Sequence, residues 1–136
     1  MDNMTTTQRS LTMSRIRSKE TQPEKKLRSC LHKAGYRFRK NVKEMPGTPD
    51  IVLPKYKTVI FVHGCFWHQH KNCPKAVKPK TNIKYWNKKL LRNIERDKLN
   101  KILLHQKGWN VIEVWECEIN QDVYGLLAKL KSLLAV

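Results

Sequence analysis

Apolar residues recur at helical spacing in three parts of the chain. The first part covers about residues 22–34 and begins just after Thr21, whose spacing to Glu24 is that of a capping box. The second part covers about residues 83–107, and the third, which is rich in leucine, covers about residues 126–134. We therefore expect three helices, of which the middle one is the longest.

Runs that are rich in β-branched and aromatic residues predict the strands. Residues 36–41 alternate in polarity, residues 50–53 and 58–62 are apolar runs around a proline turn, and residues 109–115 form a fourth run before the last helix. The order of helix, three strands, helix, strand and helix predicts an α/β fold with a mixed central β-sheet flanked by helices.

The chain divides into an arm and one domain. Residues 1–19 are polar and basic, with Met13 among their few sizeable apolar groups, and this composition predicts an N-terminal arm that a partner orders. Residues 20–136 have the length of a single domain. No stretch approaches the roughly 20 apolar residues of a membrane span, and the first residues lack the apolar core of a signal peptide. We therefore expect a cytoplasmic protein.

Basic residues far outnumber acidic ones. The chain has 28 Lys and Arg residues against 11 Asp and Glu residues, which gives a formal net charge of +17. This excess is far larger than solubility requires. It favours a polyanion as the partner.

The segment HGCFWHQHKNC, residues 63–73, has the composition of a metal site. It contains the spacing C-x4-H-x2-C, and a further cysteine follows the strand predicted over residues 109–115. Three Cys and one His make a closed tetrahedral set for structural zinc, which leaves no coordination position for a reacting water. The alternatives are that these cysteines form disulfides or are simply buried in the core. A reducing compartment disfavours disulfides, and the polarity of the loop disfavours burial. The predicted zinc ligands are Cys65, His70, Cys73 and Cys117.

Asp50 opens a strand-turn-strand unit that ends at Val62 and His63. This unit resembles that of the PD-(D/E)xK nucleases, in which an Asp at the start of one strand and groups at the end of the next hold Mg2+ against a scissile phosphate. The later acid and lysine of that pattern are missing, because Phe61 and His63 occupy their places. From this stretch alone, Asp50 is interpreted equally well as the cap of a turn.

Four longer motifs accompany this unit: Pro46-Gly47-Thr48-Pro49-Asp50, His63-Gly64-Cys65-Phe66-Trp67-His68, Asn93-Ile94-Glu95-Arg96-Asp97 and Val114-Trp115-Glu116-Cys117. Together they closely resemble the very-short-patch-repair (Vsr) mismatch endonucleases, over about residues 8–120. The resemblance implies the nuclease fold just described, a structural zinc and Mg2+-dependent nicking of DNA 5′ to the thymine of a T·G mismatch, which arises when 5-methylcytosine deaminates. The implied partner is double-stranded DNA that contains such a mismatch, and we expect the protein to act as a monomer.

The resemblance also implies roles for the residues of the active site. Asp50 becomes a Mg2+ ligand together with the backbone carbonyl of Val62, and His63 lies beside the scissile phosphate. His68 becomes the general base for the hydrolytic water, oriented by Asp97 in the way that a carboxylate holds a catalytic imidazole. Without the resemblance, the favoured interpretation of His68 is a residue of a solvated loop, and that of Asp97 is a residue of a solvated helix.

Glu24 and the aromatic residues each have two interpretations. Glu24 either caps the first helix through the Thr21 backbone N–H or acts at the active site through water around the metal. The resemblance implies that Phe66, Trp67 and Trp86 form a wedge in the DNA stack and that Met13 approaches from the minor groove. The helical spacing of Trp86 also fits a place in the core.

Two rival functions remain open at this point. A zinc-stabilised DNA-binding protein without catalysis has the same charge and the same Cys and His spacing. A nuclease of this fold without mismatch selectivity has the same active-site residues. Cleavage of paired and mispaired duplexes side by side distinguishes all three.

Overall fold

A computed structural model describes residues 21–135 as three helices and four strands. The arm predicted over residues 1–19, with Met13, lies outside the described residues. Two short 3-10 turns interrupt the connections, at Pro54–Tyr56 and Pro74–Ala76. The elements in chain order are α1 (Gln22–Lys33), β1 (Arg39–Lys40), β2 (Ile51–Leu53), β3 (Thr58–His63), α2 (Ile83–Gln106), β4 (Asn110–Trp115) and α3 (Glu116–Leu134).

The strands form one mixed sheet in the order β1-β2-β3-β4. The first three strands are antiparallel neighbours, whereas β4 lies parallel to β3, with His63 opposite Trp115. A parallel pair needs a long crossover, which residues 64–109 provide through the cysteine loop and α2. As a result, the end of β3, the end of β4 and the start of β2 meet at one edge of the sheet.

Helices cover both faces of this sheet. On one face, Ile60 and Val114 pack with Leu27 of α1 and Ile119 of α3 in the larger core cluster. On the other face, Val59 belongs to a smaller cluster that includes a leucine of α2. These contacts confirm the predicted mixed α/β sheet flanked by helices. Within residues 21–135, no helix has both the length and the apolarity needed to cross a membrane.

The capping box predicted at the start of α1 is present. The Thr21 backbone N–H donates to Glu24 Oε2 (2.9 Å), and the Glu24 backbone N–H donates to Thr21 Oγ1 (3.4 Å). Because each residue satisfies a backbone donor of the other, the helix has a defined start. The predicted long middle helix corresponds to α2, and Gly108, just beyond its end, has a φ of +86°.

Two elements differ in extent from the sequence-based expectation. The strand expected over residues 36–41 is reduced to β1, because only Arg39 and Lys40 pair with β2 before Asn41, with a φ of 49°, turns the chain away. The last helix begins at Glu116, well before its leucine-rich part, and kinks at Asp122 (φ −159°, ψ 83°). Asp122 Oδ1 accepts the Gly125 backbone N–H (3.0 Å), so this side chain caps the second, apolar half of α3.

Candidate active site and metal centre

A cleft of about 540 Å³ lies between the β3–β4 edge of the sheet and α2. It begins where the smaller core cluster ends, because Phe61 and Val111 contribute to both. Beyond them the same face of the sheet is polar. The cleft contains every sequence-predicted catalytic side chain except that of Glu24, together with residues that the motifs do not reveal. Its polar side chains include Asp50, His63, His68, Arg96, Asp97 and Glu113.

The turn before Asp50 packs directly on α2. Gly47 and Thr48 both have positive φ angles, of 77° and 47°. A Cβ at Gly47 would lie 2.8 Å from Asn100 Nδ2 on α2, closer than side-chain atoms pack. Glycine is therefore required at this position for both its backbone angle and its close approach to the helix. The turn thereby holds Asp50 at the edge of the cleft.

Asp50 is a buried acid beside a second acid. Its side chain is 7% exposed, and its Oδ2 accepts the Val62 backbone N–H at 2.6 Å. Burial first, and then the adjoining Glu24 carboxyl, raise the pKa of Asp50 to about 9 against the opposing effects of the Val62 N–H and Arg28. At neutral pH the pair therefore needs a proton or a cation between the two carboxyls.

Glu24 caps α1 and also lies beside Asp50. Its Oε2 caps α1 at Thr21, which confirms the capping box, while its carboxyl also adjoins Asp50. The other oxygen, Oε1, is buried and accepts no hydrogen bond from the residues that the structure describes. The two interpretations are compatible because the carboxyl has two oxygens. The cap leaves one of them for the Asp50 side.

His68 and Asp97 form a close pair across the cleft. His68 Nδ1 lies 2.5 Å from Asp97 Oδ2, which joins the loop after β3 to α2. Both side chains are about one quarter exposed, so neither is the fully solvated residue that the sequence alone allows. The His63 ring lies beside the His68 ring, with centroids 4.1 Å apart. The structure therefore brings Asp50, His63, His68 and Asp97 together at one edge of the sheet.

Sequence reasoning missed a second imidazole–carboxylate pair. His63 Nε2 lies 3.2 Å from Glu113 Oε2, and Glu113 Oε1 forms an ion pair with Lys101 of α2. The hydrogen bond with His63, more than the ion pair with Lys101, lowers the pKa of Glu113 to about 2 against the opposing effect of burial. The available signal was the single acid in an otherwise mostly apolar strand, NVIEVW. A charge in such a position usually has a partner.

The four predicted zinc ligands converge on one point. Their ligand atoms lie within 4.8 Å of one another, although Cys117 comes from α3 and the other three from the loop after β3. His70 Nδ1 lies 3.4 Å from Cys117 Sγ and 3.7 Å from Cys65 Sγ. Tetrahedral zinc with ordinary bond lengths places such nitrogen and sulfur ligands about 3.6 Å apart. The cluster could therefore hold a zinc-sized ion with little movement.

The surroundings of this cluster favour a bound cation. Burial raises the pKa of the Cys65 thiol to about 12, so the thiol does not ionise at neutral pH unless a positive charge is supplied. The Cys65 backbone N–H donates to Glu116 Oε1 (3.1 Å), and the His70 ring stacks on Trp115 with centroids 4.1 Å apart. These contacts fix two ligands in place before any metal binds.

Three aromatic side chains cluster beside the cleft. The ring centroids of Phe66, Trp67 and Trp86 lie between 5.1 and 5.9 Å from one another. Trp86 thus packs in this cluster rather than in the main core, which was the alternative from its spacing. Asn93 of α2 donates to the Trp67 backbone carbonyl (3.2 Å), and Lys89 Nζ lies 5.5 Å from the Trp67 ring centroid. Sequence reasoning missed these two supporting contacts.

Known proteins similar to this chain are named as DNA mismatch endonucleases and nicking enzymes. The family model described as DNA mismatch endonuclease Vsr matches residues 1–75. The type II nicking enzyme V.XorIIP of Xanthomonas oryzae pv. oryzae is 45% identical over 133 residues, which cover 98% of this chain and 96% of the relative. The type II nicking enzyme V.NmeAIP of Neisseria meningitidis serogroup A is 51% identical over 118 residues, 87% of this chain and 84% of the relative.

A third relative is the DNA mismatch endonuclease Vsr of Escherichia coli K12. It is 41% identical over 111 residues, which cover 82% of this chain and 70% of the relative. The family match spans both the acidic turn at Asp50 and the loop that carries His63 and His68. With the family model covering more than half of the chain and such relatives aligned along most of its length, the chain belongs to the Vsr family of DNA mismatch endonucleases.

Proposed function

We propose that this protein nicks one DNA strand 5′ to the thymine of a T·G mismatch by Mg2+-dependent hydrolysis, and so initiates very short patch repair. The observation that carries the proposal is the His68–Asp97 pair beside the buried carboxyl of Asp50, in one cleft of a Vsr family member. The relatives named as a mismatch endonuclease and as nicking enzymes support the same reaction class.

His68 acts as the general base in this proposal. Its Nδ1 is held by Asp97, so a neutral ring presents Nε2 as the acceptor for a proton of the hydrolytic water. Asp97 then stabilises the imidazolium that forms. His63, with its ring against that of His68, lies where it can contact the scissile phosphate, and the basic side chains of Lys43 and Arg96 line the same cleft. These positive charges favour the approach of the DNA backbone.

Asp50 and the backbone carbonyl of Val62 would hold Mg2+, with Glu24 acting through water. Bound Mg2+ supplies positive charge that polarises the phosphate and a water molecule. The fit is supported by the two crowded carboxyls, since oxygen ligands are those that Mg2+ prefers and the buried Glu24 Oε1 accepts no hydrogen bond within residues 21–135. The PD-(D/E)xK assignment of the fold rests on the same position of Asp50 at the start of β2.

The Cys3His cluster would hold structural Zn2+. Cys65, His70, Cys73 and Cys117 fill all four positions of a tetrahedral site, so this metal fixes the loop that carries His68 rather than taking part in hydrolysis. Because Cys117 lies in the first turn of α3, the same ion would tie the loop to the last helix. In this proposal, the cysteines and His70 of the loop stabilise its fold, whereas His68 of the same loop takes part in catalysis.

The aromatic cluster would act as the mismatch-sensing wedge. Phe66, Trp67 and Trp86 already pack together, so little ordering is needed when they enter the DNA stack. Unstacking costs about a few kcal/mol per base step, and this cost is smaller at a mismatch. Met13 would approach from the minor groove. We also propose that the protein works as a monomer in the cytoplasm.

A nicking assay with strand-specific labels tests this proposal. Duplexes that differ only in a central T·G, T·A or C·G pair are incubated with the protein and Mg2+, and the nicked strand and position are read on a denaturing gel. We expect a single nick 5′ to the mismatched thymine, with Mg2+ required. His68→Ala should slow it by about 10²- to 10⁴-fold, the usual contribution of a general base.

Each other outcome points to a different function. Equal cleavage of the three duplexes would indicate a nuclease without mismatch selectivity. Tight T·G binding without cleavage, under conditions in which the Escherichia coli relative is active, would indicate a DNA-binding protein. His32→Ala, at an exposed position on α1, serves as the matched control for His68→Ala and should nick at the rate of the unmodified protein.

A further inference from the structure

Glu113 is an acid in a strand that lies directly against the catalytic edge. The parallel register places Glu113 opposite Phe61 and Trp115 opposite His63. Paired residues of neighbouring strands project from the same face of a sheet, and so do residues two positions apart in one strand. Glu113 and His63 therefore share the face that borders the cleft, and both line it.

Each oxygen of Glu113 has a partner from a different element. Oε2 lies 3.2 Å from His63 Nε2 of β3, and Oε1 is paired with Lys101 Nζ of α2. Lys101 lies one helical turn after Asp97, which holds His68. Thus α2 fixes both imidazoles of the cleft: it binds His68 directly through Asp97, and His63 indirectly through Lys101 and Glu113.

A carboxylate in this cleft is unfavourable unless another group compensates its charge. The cleft is the proposed site of a phosphate, and an unpaired negative charge there would repel the substrate. Lys101 offsets this charge, while the hydrogen bond with Glu113 determines how the ring of His63 is held. A neutral imidazole that donates Nε2–H to a carboxylate has one tautomer and one orientation, and its Nδ1 becomes the acceptor.

We propose that Glu113, held by Lys101, is a positioning residue for His63 in the nicking reaction. The inference rests on the proposed function, and it adds a second imidazole–carboxylate pair to the His68–Asp97 pair. The two pairs face each other, with their rings 4.1 Å apart between centroids. His63 then meets the phosphate in a fixed orientation rather than through a search among rotamers.

The first test measures single-turnover nicking of T·G DNA by Glu113→Leu, which removes the acceptor and suits an apolar strand. We expect the rate of nicking to fall by about 10-fold or more, which approaches the loss that follows removal of a general acid or base. The affinity for mismatched DNA should be unchanged. Glu113→Gln keeps an acceptor without the charge and should fall in between. Glu95→Leu, at an exposed position on α2, makes the same change of charge and should nick normally.

A double-mutant cycle shows whether Glu113 acts through His63. If it does, Glu113→Leu has little further effect once His63 is replaced by alanine, because the two residues form one unit. Additive losses would overturn the proposal and assign Glu113 a merely structural role. Nicking by Glu113→Leu at or above the rate of the unmodified protein would also overturn it, since Glu113 would then only repel the phosphate.

Nuclear magnetic resonance of the His63 ring nitrogens tests the contact without any cleavage. We expect the Nε2–H tautomer in the unmodified protein and in Glu95→Leu, and its loss in Glu113→Leu. An unchanged tautomer in Glu113→Leu would overturn the positioning role. Failure of the unmodified protein to nick T·G DNA would instead count against the proposed function, and this measurement keeps the two failures apart.

Discussion

At the residue scale, Asp50 occupies a place where a carboxyl group destabilises the fold. It is buried beside Glu24, and its pKa of about 9 reflects mainly the burial. We predict that Asp50→Asn abolishes nicking but raises the free energy of unfolding in Mg2+-free buffer at neutral pH by about 1 kcal/mol or more, because the Asp50 carboxyl must take up a proton on folding whereas the amide need not. Chemical denaturation measures the change. A less stable Asp50→Asn protein would contradict this account.

Asp97→Asn provides the comparison for this prediction. Asp97 is more exposed and is paired with His68, so its replacement removes a favourable contact instead of an unfavourable one. It should therefore reduce nicking without any gain in stability. A gain of equal size in both variants would mean that the burial of Asp50 is not the cause.

Glu113 should make stability depend on pH in the acid range. Its pKa is lowered from an ordinary 4.5 to about 2, first of all by the hydrogen bond with His63. For an acid with a lowered pKa, the unfolded state binds more protons, so the stabilisation is complete above about pH 4.5 and disappears as the pH falls toward 2. The unfolding free energies of the unmodified protein and Glu113→Gln should therefore differ at neutral pH and converge in acid. A difference that stays constant in acid would contradict the shift.

Clusters of residues could be predicted from the sequence where their members lie close together along the chain. Cys65, His70 and Cys73 lie within one loop, so their convergence is nearly forced. The partner of Glu113 could not be predicted, because the contact with His63 depends on the register between two parallel strands. Chain spacing does not encode that register when residues 64–109 separate the strands.

At the element scale, the loop of residues 63–73 carries three of the four residues that could hold a metal ion. We predict one tightly bound zinc ion per chain and its loss in Cys73→Ser, with a change in tryptophan fluorescence because Trp67 and Trp86 lie on or beside this loop. Elemental analysis and fluorescence measure both effects. Cys30→Ser, which changes the cysteine that packs against the main core, should keep the metal. A metal-free protein that folds and nicks normally would contradict this assignment.

The helices were predicted better than the shortest strand. The capping box at Thr21 and the long apolar spacing in α2 are local signals, and both elements have nearly the predicted bounds. By contrast, β1 depends on pairing with β2, which has only three residues. The alternating polarity of residues 36–41 therefore predicts a longer strand than the one that forms. The early start of α3 was missed because its first turns are mostly polar, although Glu118 accepts the Trp115 backbone N–H.

At the scale of the whole molecule, we expect the charge of +17 and the aromatic cluster to contribute to DNA binding in different ways. Binding to fully paired duplex should weaken steeply with salt, since basic residues release counterions from the phosphates. We predict that Trp67→Ala keeps this salt dependence and loses most of the preference for T·G over paired DNA. Binding titrations at several salt concentrations measure both properties. Tyr124→Ala removes an exposed aromatic residue of α3 and should keep the preference.

The parallel pairing of β3 with β4 also has a consequence during synthesis on the ribosome. His63 and His68 are translated early, Asp97 follows within the crossover, and Glu113 and Cys117 come only after it, so β3 cannot acquire its parallel neighbour before β4 has been made. A growing chain that ends within the crossover has no completed Cys3His cluster, and until Asp97 has been made His68 has no carboxylate partner. We therefore expect a nascent chain to leave DNA uncut until residues beyond Cys117 have been made.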